Sequence, residues 1–277
     1  MKYFYILLIT IISISCSKDK VGNSSFFNSE KENEENITIL IDVSLTMVSK
    51  DFKPDRISAV KEAVRKMIEN KKPNQAFSVV VFSANSYVVC PLTKDRNKLL
   101  NSLGIIKEFI LKLKAGTDFS DALLTGIYTL KDQKNGSIII FSDGNYTKKS
   151  YPLDLTINYS LKHNIVINAV VVAPDKIQIV PTYMDLKGNF IFEEMKAQAV
   201  DSTLQKISEK TNGFYKRYMN ENQLSTFNFQ KSYSAIKLSN NVKIEKTHEL
   251  ESIFQQVERV NDSIKMTLNK KEGVSKF

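Results

Sequence analysis

Ile37-Thr38-Ile39-Leu40-Ile41-Asp42-Val43-Ser44-Leu45-Thr46 decides how this 277-residue chain is read. The near-continuous apolar run Ile37–Val43 predicts a β-strand covered on both faces, as in a parallel sheet. Where that strand gives way to loop, one carboxylate and two hydroxyls stand at alternate positions, Asp42, Ser44 and Thr46. Hard divalent cations such as Mg2+ take that kind of set: oxygen donors, few of them charged, in a rigid octahedron. A second carboxylate follows another apolar run, in Ser142-Asp143-Gly144 after Ser137–Phe141, and a threonine lies between the two in Gly116-Thr117-Asp118. Any one of these loops reads equally well as turn or cap chemistry, where Asp, Ser and Thr are favoured. All three in order, each on a strand or helix end, predict one metal site assembled by the fold.

Outward from that strand, apolar runs alternate with amphipathic stretches. Pro54 opens a predicted helix to about Asn70, with Ile57, Val60, Ala63, Val64, Met67 and Ile68 on one side. Phe77–Phe82 reads as a buried strand and Tyr87–Leu92 as a shorter one, placed at an edge by Pro91. Helical patterns cover Lys94–Ser102, Ile105–Leu113, Phe119–Leu130, Leu153–Lys162 and Thr203–Lys210, with a last helix at His248–Leu268. Ser137–Phe141, Ile165–Val172 and the short Gly213–Tyr218 are the remaining strands. This rotation predicts an α/β fold: one domain over residues 37–268, with a doubly wound, mostly parallel central sheet and helices on both faces. Functional groups in such folds collect at the carboxyl ends of the strands, where Asp42–Thr46 and Ser142–Gly144 both fall.

The first residues set an expectation about location. Lys2, the short apolar segment Tyr3–Ile14 and Ser15-Cys16-Ser17 read as a lipoprotein export signal over residues 1–16, with Cys16 the acylated residue. Ser13 stands where such signals usually carry leucine. The apolar segment is about half of the ~20 residues needed to span a bilayer. Several acyl chains on one cysteine hold a soluble domain firmly, which a single chain does not. Residues 17–36 are too polar to fold alone and read as a tether, and residues 269–277 as a tail. With Cys16 acylated, Cys90 has no disulfide partner, and its apolar neighbours predict a buried, inert thiol.

The net charge of +9, from 39 Lys and Arg against 30 Asp and Glu, is dispersed rather than gathered into a stripe. No nucleic-acid reading motif accompanies it, so no nucleic acid is expected as a partner. No internal repeat of roughly 20–50 residues occurs. A serine hydrolase would need a nucleophile elbow, and Gly-x-Ser-x-Gly is absent. The two histidines, His163 and His248, lack metal-ligand spacing, and no phosphate loop or dinucleotide fingerprint is present.

These residues together resemble a von Willebrand factor type A domain, whose metal-ion-dependent adhesion site has the signature Asp-x-Ser-x-Ser, then Thr, then Asp. The resemblance covers about Asn36–Tyr218 plus the last helix. Among bacterial members it is similar to the aerotolerance-associated Bat-type envelope proteins. It is carried by Asp42-Val43-Ser44-Leu45-Thr46-Met47, Asp51-Phe52-Lys53-Pro54-Asp55-Arg56, Val81-Phe82-Ser83, Pro91-Leu92-Thr93-Lys94-Asp95-Arg96, Gly116-Thr117 and Phe141-Ser142-Asp143-Gly144. It implies that Ser44 and Thr46 bind the cation directly, Mg2+ or else Mn2+ or Ca2+. Asp42 and Asp143 act largely through water, and Thr117 enters or leaves with conformation. A position left to water then accepts a carboxylate from a partner protein, and no bond is broken. The implied role is a non-enzymatic scaffold or adhesion module, exported and lipid-anchored on the periplasmic side or surface of the envelope. Its expected partners are other Bat-type proteins and, indirectly, an associated AAA+ ATPase.

This chain departs from the family pattern in places. Thr46 replaces the usual second serine, and its β-branching restricts the rotamer. Asn74–Ser78 lacks the charged and glycine residues often found there. Bat-type relatives carry transmembrane helices on both sides of the domain, whereas here lipid would be the only anchor. Residues 224–246 read as an insertion whose Phe227, Phe229, Tyr233 and Ile236 pack on the body or face a partner. Two alternatives stand beside the binding module. One is a Mg-dependent phosphatase or nuclease using Asp42 and Asp143, with Asp118 and Asp121 as the only nearby bases. The other is a scaffold of the same fold whose metal site is degenerate.

Overall fold

A computed structural model of the chain describes residues 34–110, 112–197, 201–229 and 247–274. Eight strands form: β1 (Glu35–Asp42), β2 (Gln75–Phe82), β3 (Ser86–Thr93), β4 (Gly136–Ser142), β5 (Val166–Val172), β6 (Ile177–Met184), β7 (Phe190–Lys196) and β8 (Tyr215–Tyr218). The helices are α1 (Arg56–Glu69), α2 (Arg96–Gly104), α3 (Phe119–Leu130), α4 (Leu153–Lys162), α5 (Ser202–Lys210), the single turn α6 (Glu221–Leu224) and α7 (Thr247–Val274).

Six strands make the central sheet in the order β3-β2-β1-β4-β5-β8. Only the β2–β3 pair is antiparallel. The sequence alternates within each buried strand, so each feeds two cores. Ile37, Ile39 and Ile41 of β1 join Phe141 of β4 and Val60 and Val64 of α1 on one face. Leu40, Ile138 and Ile140 join Leu123, Ile127 and, from α7, Phe254 on the other. A strand apolar at every position is what a doubly covered parallel sheet requires, because neither face meets water.

Asp55, Asp95 and Asp118 cap α1, α2 and α3 by accepting backbone N–H bonds from the first turn. Carboxylates are favoured there by both the orphan N–H groups and the helix dipole. The helix α1 thus starts two residues beyond Pro54. The helix α3 is capped by Asp118 rather than Thr117. The predicted helix Ile105–Leu113 is reduced to a single 3-10 turn, Ile106–Phe109. Ile106 and Phe109 are still fully buried, so the apolar spacing reported burial without a continuing helix.

The edge strand β3 carries Pro91 as expected, and α7 covers it: Val88 N–H donates to Asn261 Oδ1 at 2.7 Å. Covering an edge in this way removes a template for stray strand pairing. The domain limits need two corrections. Glu35 and Asn36 belong to β1, paired with Gln75 and Ala76, and not to a tether. The last helix continues to Val274, into the segment expected to be a tail.

In the segment 224–246, Leu224 and Phe227 lie in the core, and Phe227 meets Phe141 edge-on at 5.5 Å. Phe229 packs toward Phe214. Tyr233 and Ile236 lie outside the described residues, as do residues 1–33 with Cys16. Cys90 is a buried free thiol whose burial pushes its pKa up.

One element was not anticipated. The strands β6 and β7 pair antiparallel into a separate two-stranded hairpin. It is tied to the body by Lys50 N–H donating to the Ile179 carbonyl at 2.9 Å. Lys50 Nζ also lies 5.5 Å from the centre of the Phe192 ring.

Candidate metal centre

Strands β1 and β4 are neighbours, and the chain runs from β1 to β2 on one side and to β4 on the other. Their carboxyl ends therefore flank the point where strand order reverses, the usual crevice of a doubly wound sheet. Ile41 lies opposite Phe141, so Asp42 and Ser142 end their strands side by side. Ser142 Oγ donates to Asp42 Oδ2 at 2.6 Å, and Ser44 N–H donates to Asp42 Oδ1 at 2.8 Å. Asp42 is fully buried. Burial first, and then the charge of Asp143, push its pKa up to about 7.

Ser44 precedes the 3-10 turn Leu45–Val48 in extended backbone, and its side chain makes no capping bond. Its Oγ instead lies 3.2 Å from Thr46 Oγ1. The two hydroxyls of the Asp-x-Ser-x-Thr stretch are thus brought together. The threonine methyl does not prevent this, and the Thr46 carbonyl is used by Ser49 Oγ at 2.6 Å.

Asp143 follows β4. Its Oδ1 accepts the Asn145 N–H at 2.9 Å, and its Oδ2 accepts Nη1 of the fully buried Arg56 at 3.1 Å. The turn beyond it depends on Gly144, at φ +90°, where an added Cβ would lie 2.9 Å from Asp201 Cβ. Only glycine meets both demands.

Thr117 is buried on the loop before α3. Its backbone is pinned to the segment after Asp143: Thr147 and Lys148 N–H donate to its carbonyl at 3.1 and 3.0 Å. Its own N–H donates to Thr147 Oγ1 at 2.8 Å. The structure therefore joins Asp42, Ser44 and Thr46 directly, links Asp143 to them through charge, and ties Thr117 in through backbone bonds.

This donor set fits a hard cation. Burial first, and then repulsion between the two carboxylates, pushes Asp42 toward neutrality, and two paired hydroxyls stand beside them. A divalent ion removes that repulsion and uses neutral oxygens for the rest of its shell. Among the described residues no three His, Cys, Asp or Glu side chains group as a metal site, so any ion here depends on the hydroxyls.

Three participants were not named as site residues from the sequence. Arg56 and Asp51 form a buried ion pair beside Asp143, and Ser142 holds Asp42. Arg56 sits on an apolar helix face, and nothing in its spacing marks it apart from a surface arginine.

A family model for the von Willebrand factor type A domain matches residues 37–145. That span runs from the first strand beyond Asp143 and contains all five expected site residues. Residues 37–145 fall in the von Willebrand factor type A domain family. A relative in Borreliella burgdorferi, an uncharacterized protein, is 25% identical over 185 residues, 65% of this chain. The match spans about half, 52%, of that relative's length.

Solved structures share the fold of the von Willebrand domain. An aerotolerance-related membrane protein from Bacteroides fragilis aligns with TM-score 0.57 and 19% identity, over 81% of this chain and 99% of that one. The conserved hypothetical protein BatB from Bacteroides thetaiotaomicron gives 0.56 and 19%, over 69% and 93%. Proximal thread matrix protein 1 from the mussel byssus, whose structure has a zinc-occupied metal-ion-dependent adhesion site, gives 0.50 and 14%, over 70% and 46%.

Proposed function

We propose that this chain is a membrane-tethered von Willebrand factor type A module that binds a divalent cation and, through it, an acidic side chain of a protein partner. Mg2+ is the expected ion, with Mn2+ and Ca2+ as alternatives. The observation that carries this reading is the meeting of Asp42, Asp143, Ser44 and Thr46 at the crevice between β1 and β4. A cation held there supplies an electrophilic centre for an incoming carboxylate.

The chain's residues divide the remaining work. Ser44 and Thr46 offer neutral oxygens. Asp42 and Asp143 already accept a protein N–H or O–H on each oxygen, so they are positioned to act through water. Thr117, on its tethered loop, is the remaining hydroxyl. The zinc-occupied site of the mussel protein supports a cation in this fold.

The hairpin supports a protein partner. Of the nine exposed large apolar side chains among the described residues, five are on β6, β7 and their turn, and Leu45 is a sixth on the site loop. Apolar surface gathered beside a polar site marks an interaction face. Of the two candidate bases of the enzymatic reading, Asp118 is engaged in capping α3, accepting bonds from Ser120, Asp121 and Ser150, and Asp121 accepts one from Ser86.

Tethering would come from acylation of Cys16 at the cell envelope, and likeness to a membrane protein of Bacteroides supports that setting. Among the described residues no helix is long and apolar enough to cross a membrane. Other Bat-type proteins are the partners to try first. Thermal melts with added Mg2+ or Mn2+ test the reading, comparing wild type with Asp143→Ala and Ser44→Ala. A true site raises the wild-type midpoint with ion concentration, and both variants lose that response. A wild type indifferent to both ions would sink the proposal.

A further inference from the structure

We propose that Asp51 and Arg56 set the affinity of the cation site without touching the ion, and this inference rests on the reading of that site as a cation site. The Arg56 guanidinium is wholly buried, and the side chains of Asp51 and Asp143 are each 4% exposed. Arg56 uses both Nε and Nη2 on Asp51, with Nε 2.8 Å from Oδ1, and a single Nη1 bond of 3.1 Å on Asp143. A guanidinium does not deprotonate in proteins, so this positive charge is permanent.

The buried side chains of Asp51 and Asp143 thus share one arginine, and the charge of Asp143 bears in turn on Asp42. Asp51 takes the bidentate share and cancels the arginine. Asp42 and Asp143 then retain two negative charges for a divalent ion. Arg56 keeps one bond to Asp143, which fixes the direction of that carboxylate without claiming its charge. Asp51 is held in turn by the hairpin: Ile179 N–H of β6 donates to its Oδ2 at 3.3 Å. The sequence Asp51-x-x-x-x-Arg56 therefore neutralises one residue so that another, 87 positions further on, stays available.

Asp51→Asn is nearly isosteric and still offers an acceptor to Arg56 or to Ile179. It leaves the full arginine charge on Asp143 and should weaken Mn2+ binding about tenfold, the scale expected for one charge within a protein. Asp51→Asn combined with Arg56→Met removes both charges and should recover most of that loss. A purely structural role would not be rescued by deleting a second buried group.

The test is calorimetric titration of the full chain with Mn2+ alone, for wild type, Asp51→Asn and the double variant, with circular dichroism melts showing that each is folded. Weakening by the single change and recovery by the double support the proposal. A folded Asp51→Asn that binds as tightly as wild type overturns it, as does a folded double variant no tighter than the single. A wild type that binds no Mn2+ overturns the cation-site reading itself, and this inference with it.

Discussion

Replacing Asp42 by Asn should make the metal-free protein more stable and the metal-loaded protein less so. Asp42 is fully buried, and burial together with the charge of Asp143 lifts its pKa from 3.8 to about 7. A group whose folded pKa is raised favours the folded state most below its unfolded value. That stability is lost as pH rises from about 4 through about 7 and levels beyond. Three units correspond to about 4 kcal/mol as an upper bound, and relaxation around the pair leaves about 2–4 kcal/mol. Asparagine keeps an acceptor for the Ser44 N–H and carries no charge. In chelator at about pH 8, Asp42→Asn should therefore melt on the order of 5–10 °C above wild type. Its advantage should shrink toward about pH 4. Mg2+ at about 1,000 times its Kd should raise wild type by about 4 kcal/mol of mass-action stabilisation and leave the variant unmoved, which offsets or reverses the order. Scanning calorimetry with chelator or Mg2+ across that pH range reads both effects. A variant less stable than wild type in chelator at high pH, or a difference flat with pH, would refute the argument from burial and carboxylate repulsion.

Three further outcomes follow from separate parts of the molecule. Gly144→Ala, forced against Asp201 at positive φ, should cost about 2 kcal/mol or more in urea unfolding, whereas Gly104→Ala, which meets nothing within 4 Å, should cost almost nothing. Burial lifts the Asp121 pKa to about 6 despite its bond from Ser86 Oγ. Asp121→Asn should then gain about 1–2 kcal/mol near pH 8, fading as pH falls from about 6 to about 4, and equal stability of the two proteins at both pH 8 and pH 4 would contradict this. Metabolic labelling with a fatty acid should tag wild type and spare Cys16→Ser, and labelling of both would dismiss Cys16 as the anchor.

The sheet was legible because burial on both faces leaves its strands apolar at every position, as in Ile37–Ile41 and Ile138–Phe141. The hairpin β6–β7 was not, since Ile177–Met184 and Phe190–Lys196 are half exposed and mix apolar with polar or charged residues at neither period. The site divides in the same way. Asp42, Ser44, Thr46 and Asp143 could be read from adjacent strand ends, because neighbouring parallel strands bring those ends together. Arg56 and Asp51 could not be assigned a role. Their importance lies in a contact to Asp143 across 87 positions, and a buried arginine leaves no local trace in sequence.

Anomalous diffraction at the manganese edge, from crystals of the chain grown with Mn2+, tests the central claim most directly. The account predicts one peak at the carboxyl ends of β1 and β4, roughly 2.0–2.6 Å from both Ser44 Oγ and Thr46 Oγ1. No peak there, or a peak held only by surface carboxylates elsewhere, would contradict it.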